Sequence, residues 1–344
     1  MHLKNQLGEL FIIGFQGAKI TPDSDLEHRL KAGNPGGVIL FDRSLSDPDK
    51  GGNIQSLEQL KKLTSYLQNL SSAPLFICID QEGGLVQRLN ARNGFFDIFS
   101  AEKMGRSETL ELVRFEALRT AKNLSDSGIN VNFAPVVDLN VNSSNPIIGG
   151  VKRSFSADPA QVIRCAEVWI GCHRQYNILS CPKHFPGHGS STADSHLGFV
   201  DISSTWSENE LLPYRKLIDR RMADMVMVGH LYNHNLDPLF PATLSYLTVS
   251  GILRGQLGYD GVIVTDDMQM KAVSDRYGFG EAICQSLTAG IDMIVIGNNL
   301  DHRTSLLSEA IEAVWCGIEA GTLAEETILA ALTRIRHLKL SIKD

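Results

Sequence analysis

The sequence predicts an α/β fold, a single-domain (β/α)8 TIM-type barrel over residues 1–344. Three observations carry that prediction. Short, unbroken apolar runs recur along the chain. Striped amphipathic segments lie between them. Polar residues gather just where the apolar runs end. Unbroken runs suit strands buried on both faces of a parallel sheet. Their alternation with helical stripes gives βαβ units. Polar run ends fit a barrel, in which the loops after the strands converge on one mouth.

Taken in order, Leu7, Leu10, Phe11 and Phe15 read as one face of a short first helix. Residues 37–41 form the first clear strand. Leu57, Leu60, Leu63, Leu67 and Leu70 share one face of a helix. Further strands are expected at 75–80, 131–138, 178–180, 225–230, 261–266 and 291–296, with 197–202 as a weaker eighth. Ser207 with Glu210 reads as a capping box opening a helix through Arg220. A last helix lies around 328–338. No long linker or low-complexity tract divides the chain, and a doubly wound open sheet is the alternative topology. The polar run ends are Asp42-Arg43, Asp80-Gln81-Glu82, Asp138, Lys183-His184, His230 and Asp266-Asp267.

Composition narrows the function. The chain is 43% hydrophobic and 21% charged, an ordinary globular balance. A formal charge of -7 without a Lys/Arg block argues against a nucleic-acid footprint. The low aromatic fraction argues in the same direction. No apolar run is long enough to span a bilayer, and the start lacks the pattern of a signal peptide. Cys78, Cys165, Cys172, Cys181, Cys284 and Cys316 are scattered with no C-x-x-C pair, so reduced thiols and a cytoplasmic location are expected. The sequence sets no oligomeric state.

The stretch from Lys183 to His196, KHFPGHGSSTADSH, holds three histidines, a lysine and an aspartate. His184 and His188 are four apart, a zinc spacing on a helix. Pro186, Gly187 and Gly189 make the segment a loop instead, and no metal is expected. No phosphate-loop pattern is present. Acid–base chemistry on a mobile loop is the third reading. In an extended segment Asp194 and His196 point to the same side, where the carboxylate can orient the imidazole and raise its basicity. A plain surface Asp–His pair is the bland alternative.

The same stretch resembles the K-H-F-P-G-H-G…D-S-H pattern of bacterial family 3 glycoside hydrolases, in the branch of exo-β-N-acetylglucosaminidases. The resemblance runs from Pro35-Gly36-Gly37 to Asn298-Asn299. It includes residues 80–84 (DQEGG), 86–88 (VQR), 133–138 (FAPVVD), 153–155 (RSF) and 258–267 (GYDGVIVTDD). It implies that Asp266, right after Thr265, is the nucleophile of a retaining hydrolysis. It further implies that His196 is the acid/base, supported by Asp194, on a loop that closes over substrate. Asp80, Arg88, Arg153, Lys183 and His184 would bind the sugar. For Arg88 and Arg153 a salt-bridge role is the alternative. Asp267 and His188 read as structural, and His230 as support behind the site. The segment 145–155 is two residues longer than the family pattern, which bears on where Arg153 falls. Ser190 stands where an acidic residue is common.

The resulting expectation is a cytoplasmic enzyme that removes terminal N-acetylglucosamine from cell-wall muropeptides during peptidoglycan recycling, with no cofactor or metal. The alternatives are a phosphorylase on the same site, a chitooligosaccharide or β-glucoside hydrolase, and a non-catalytic sugar-binding relative.

Overall fold

The computed structural model describes residues 3–32, 35–47, 49, 51–194 and 198–342. Strands β1 (Phe11–Gly14), β2 (Gly37–Leu40) and β3 (Phe76–Ile79) are parallel. A short antiparallel hairpin follows, β4 (Gln81–Gly83) and β5 (Val86–Gln87). The parallel strands resume with β6 (Val131–Asn132), β7 (Leu179–Ser180), β8 (Met225–Val228), β9 (Val262–Thr265) and β10 (Ile294–Ile296). One sheet has six strands in the order β10-β1-β2-β3-β6-β7, and a second pairs β8 with β9. This order follows the chain and sets the first strand beside the last. A doubly wound sheet reverses direction at a switch point instead. The arrangement is α/β with parallel strands and is consistent with a TIM-like barrel.

Every residue in these parallel strands is buried. That explains why the runs read as continuous Val, Ile, Leu and Met rather than as an alternation. Helix Leu57–Leu70 turns Leu60, Leu63 and Leu67 inward, and Ser56 caps it by accepting the Gln59 N–H. Its end residue Leu57 stays exposed. Glu325–Lys339 is the last helix, as expected, and buries Ile328, Leu332 and Ile335.

Four expectations change. Residues 11–14 are a central strand rather than the face of a helix. A 3-10 helix, Leu3–Leu10, ends where the β-branched pair Ile12-Ile13 begins, and β1 pairs on both sides, with β2 and β10. The segment 197–202 does not supply the eighth strand. Leu197 lies outside the described residues, and Asp201 makes only an isolated bridge to Tyr232. The predicted strand 131–138 is ladder-paired only at Val131–Asn132, because Pro135 has no N–H to give; beyond it Val136 bridges Lys183 singly. Ser207 makes no side-chain cap. Residues Glu208–Leu211 form a 3-10 turn before helix Leu212–Asp219, and the buried Glu210 carboxylate accepts the Gly189 N–H instead of reaching back to Ser207.

Candidate active site

Thr265 ends β9, and its Oγ1 accepts the Val295 N–H at 2.9 Å, fixing that end against β10. Asp266 follows, half-buried, with its N–H on Val228 O at 2.9 Å. Its Oδ1 accepts the Asp267 N–H at 2.9 Å. Asp267 does structural work: its Oδ1 accepts the N–H groups of Gln269 at 3.0 Å and Gly297 at 2.9 Å, tying two loops together. His230, buried, meets Asp267 O through Nε2 at 3.0 Å and Thr243 Oγ1 through Nδ1 at 2.6 Å. It therefore braces the backbone next to Asp266. Asp266 shares a cavity of about 130 Å³ with Asp80 and Arg88, walled by Phe41, Phe133, Met227 and Val295. A larger depression of about 400 Å³ beside Gln16, Lys19 and Arg303 contains none of the expected site residues. The smaller cavity joins Asp80 from the end of β3 with Asp266 and Asp267 from the end of β9.

Behind it lies a buried ion network. Lys183 Nζ is 2.7 Å from Asp80 Oδ1 and 2.8 Å from Glu82 Oε1. Arg153 donates two bonds to Glu82, at 2.7 and 2.8 Å, and a third to Ile147 O at 3.0 Å. Arg88 donates to Asp80 Oδ2 at 3.3 Å and lies 3.9 Å from Asp42. Burial alone would raise the Asp80 and Glu82 pKa values. The cations outweigh it, Lys183 and Arg88 at Asp80, Arg153 and Lys183 at Glu82, and hold both below the ordinary carboxylate range. Burial likewise opposes the charge on Lys183, but Asp80 and Glu82 raise its pKa above the usual value. Arg153 Nη2 also points at His184 Nε2, 3.2 Å away. A guanidinium only donates, so Nε2 accepts and Nδ1 carries the proton toward Asp138 Oδ2 at 2.7 Å.

The loop after β7 is held from within. Asp138 Oδ1 accepts the N–H groups of His184 at 3.1 Å and His188 at 2.8 Å. Asn145 donates to His188 O at 2.7 Å and accepts from Ile147 and Ile148, both at 3.0 Å. The longer 145–155 segment is thus pinned at Asn145 and delivers Arg153 into the network. A Cβ on Gly189 would stand 1.6 Å from Leu139 O, so only glycine fits. His188 is structural: its Nδ1 meets Ser191 Oγ at 2.8 Å, and burial lowers its pKa to about 4. His184 and His188 use their Nδ1 atoms on Asp138 and Ser191. Asp194 is half-buried beyond this clamped stretch. Ser195, His196 and Leu197 lie outside the described residues, so the Asp194–His196 pairing stays an expectation.

The structure therefore gathers Asp266, Asp80, Arg88, Lys183, Arg153 and His184 into one connected group. Sequence reasoning left Glu82, Asp138 and Asn145 without roles. The first two stood among the polar run ends; nothing singled out Asn145.

The group places carboxylates, cations and an imidazole together at strand ends of an α/β protein. The chain matches the glycosyl hydrolase family 3 N terminal domain over residues 2–338 and belongs to that family. It is 35% identical to the β-hexosaminidase of Tolumonas auensis, over 86% of this chain and 85% of that protein. It is 31% identical to β-hexosaminidase A of Pseudoalteromonas piscicida, over 95% of this chain but only 57% of that longer protein. Among solved structures, a family 3 β-N-acetylglucosaminidase from Paenibacillus sp. str. FPU-7 superposes with a TM-score of 0.88 at 34% identity, covering 99% of this chain and 62% of that one. The β-N-acetylhexosaminidase of Beutenbergia cavernae superposes with a TM-score of 0.86 at 27% identity, covering 98% of each chain. No helix among the described residues is long and apolar enough to cross a membrane.

Proposed function

We propose that this chain is a retaining exo-β-N-acetylglucosaminidase built on one closed (β/α)8 barrel domain, with Asp266 as nucleophile. The observation that carries the reading is Asp266 at the end of β9, in one cavity with Asp80 and Arg88. Closure of the barrel is supported by the bridges Phe185↔Val228 and Val264↔Met293, which link the β8–β9 pair to both ends of the six-stranded sheet.

The reaction follows from the groups. Asp80 accepts from sugar hydroxyls, Lys183 and the guanidinium groups donate to them, and His184 Nε2 is a further acceptor on the Arg153 side. A site built to pair those hydroxyls rejects sugars lacking them. Asp266 attacks the anomeric carbon and displaces the leaving oxygen, forming a covalent glycosyl-enzyme. The His196 imidazolium, oriented by Asp194, gives its proton to that oxygen. The resulting imidazole then takes a proton from water, which releases the sugar and restores Asp266. Muropeptides met in the cytoplasm during peptidoglycan recycling are the proposed substrates.

The test is a side-by-side assay on chromogenic β-N-acetylglucosaminide and β-glucoside, with and without chelator. Turnover of the first alone, unchanged by chelator and lost in Asp266→Asn, supports the reading. Equal turnover of the glucoside, or full activity in Asp266→Asn, would overturn it.

A further inference from the structure

The clamp on the loop after β7 has a second jaw, and it is acidic. Glu210, 1% exposed, comes up from the 3-10 turn Glu208–Leu211 beneath the loop. Its Oε2 accepts the Gly189 N–H at 3.1 Å. Its side chain also packs directly under Gly187: a Cβ there would stand 2.6 Å from Glu210 Cβ. Four residues earlier, Trp206 donates to Pro186 O at 3.0 Å from the same side. The opposite jaw is Asp138 and Asn145, gripping the His188 backbone. Asn142 adds Nδ2 to Ser191 O at 2.9 Å. The stretch 186–191 is thus buried and gripped from both sides, and Thr192 is the first exposed residue after it. Asp194 follows two residues on.

We propose that Glu210 is a positioning residue for the proposed acid–base pair: through the Gly189 N–H it fixes the buried stretch 186–191, which leads in sequence to Asp194 and His196. The inference rests on the proposed roles of those two residues. Oε1 of the same carboxylate is buried without a hydrogen bond of normal geometry. The groups around Glu210 are the Ser190 hydroxyl and N–H, which favour the ionised form, the Asp138 carboxylate, the Tyr214 hydroxyl on the helix that follows, and His188 in the loop, which is neutral at pH 7. None of these supplies a cation. Burial first, and then the Asp138 charge, raise the Glu210 pKa to about 7. The acid is therefore protonated in mildly acidic solution and ionises near neutrality. Ionisation would place a second negative charge beside Asp138 in a site closed to water. The N–H and hydroxyl donors favour the ionised acid, but burial and Asp138 outweigh them, so the anchor is firmest when Glu210 is protonated and loosens as pH rises from about 4.5 to about 7.

Two variants separate this from a general structural role. Glu210→Gln keeps the shape and the acceptor oxygen but cannot ionise. Glu210→Ala removes the anchor. On the chromogenic β-N-acetylglucosaminide at pH 6, Glu210→Ala is expected to lose about tenfold to a hundredfold in kcat, the cost of a misplaced catalytic group, with KM little changed. Glu210→Gln should rescue most of that loss and hold its kcat to higher pH than the wild type. Amide hydrogen exchange of a peptide covering residues 186–192 reads the anchor without catalysis. It should quicken at least about tenfold in Glu210→Ala, stay slow in Glu210→Gln, and quicken in the wild type between about pH 4.5 and about pH 7 beyond the intrinsic rate. Changed exchange with no hexosaminidase activity in any form would keep the anchor and sink the acid–base reading it serves. Unchanged exchange in Glu210→Ala, or wild-type and Gln pH profiles that superimpose, would overturn the proposal.

Discussion

Lys183 is the residue on which the site's electrostatics turn. It is 3% exposed and bridges two carboxylates, Glu82 buried and Asp80 half-buried. Its replacement by methionine keeps most of the stem and strands Asp80 and Glu82. Breaking a buried pair from one side costs about 3–5 kcal/mol. Lys183→Met should therefore lower stability by about that amount in denaturant titration and abolish measurable turnover; a stable, active variant would mean the network is open to water. The pH dependence carries its own sign. Asp80 and Glu82 hold lowered pKa values in the folded state. Between the unfolded and folded values the unfolded chain binds more protons, so stability falls as pH falls. Their contribution is complete above about pH 4.5, the ordinary glutamate value, and drains away below it. Thermal melts from pH 6 down to pH 3 should show that slope, flattened in Glu82→Gln. At this scale the sequence was legible where a motif named a residue: Asp80, Arg88, Arg153, Lys183, His184 and Asp266 all meet in one group. Glu82 and Asp138 were visible only as polar run ends, because what they hold, Arg153 and Lys183 for one and His184 and His188 for the other, is brought to them only by the fold. Glu210 looked like the far half of a helix cap, and only the fold shows its carboxylate serving Gly189.

Among the elements, β1 is the informative miss. Leu7, Leu10, Phe11 and Phe15 fit a helical stripe, and a four-residue apolar run cannot be told from a buried helix turn by periodicity alone. What decides is pairing: β1 lies between β2 and β10 and joins the last strand to the first ones. Gly14, its last residue, marks how close that approach is. A Cβ at Gly14 would stand 1.7 Å from the Gly297 carbonyl oxygen, on backbone that cannot step aside without moving β10. Gly14→Ala should cost about 1–3 kcal/mol or more by overpacking. Because the displaced loop also carries the Gly297 N–H that holds Asp267, activity should fall with stability. A neutral Gly14→Ala in both chemical melts and assays would contradict this packing. The other strands were readable because burial on both faces leaves an unbroken apolar run. In 131–138 the apolar pattern continues past the point where Pro135 interrupts the ladder, so the paired strand is shorter than the pattern.

At the scale of the whole molecule, the fold brings together residues that follow β3, β7 and β9, which are far apart in sequence. Asp80, Lys183 and Asp266 become neighbours only through that fold. If the chain is one closed barrel, removing any strand removes pairing on both sides. Unfolding followed by tryptophan fluorescence and by far-UV circular dichroism should then give one coincident transition. Two separated transitions would divide the chain into units and contradict the single-domain reading. The central claim is that Asp266 forms a bond to the sugar. The direct measurement is mass spectrometry of the protein after brief reaction with a 5-fluoro N-acetylglucosaminyl fluoride, a substrate whose glycosyl-enzyme hydrolyses slowly. The account predicts a mass increase of one fluorosugar, mapped by peptide digestion to Asp266 and absent in Asp266→Asn. An adduct on a different residue, or steady turnover of an intact substrate with no trapped species and with inverted product, would contradict it.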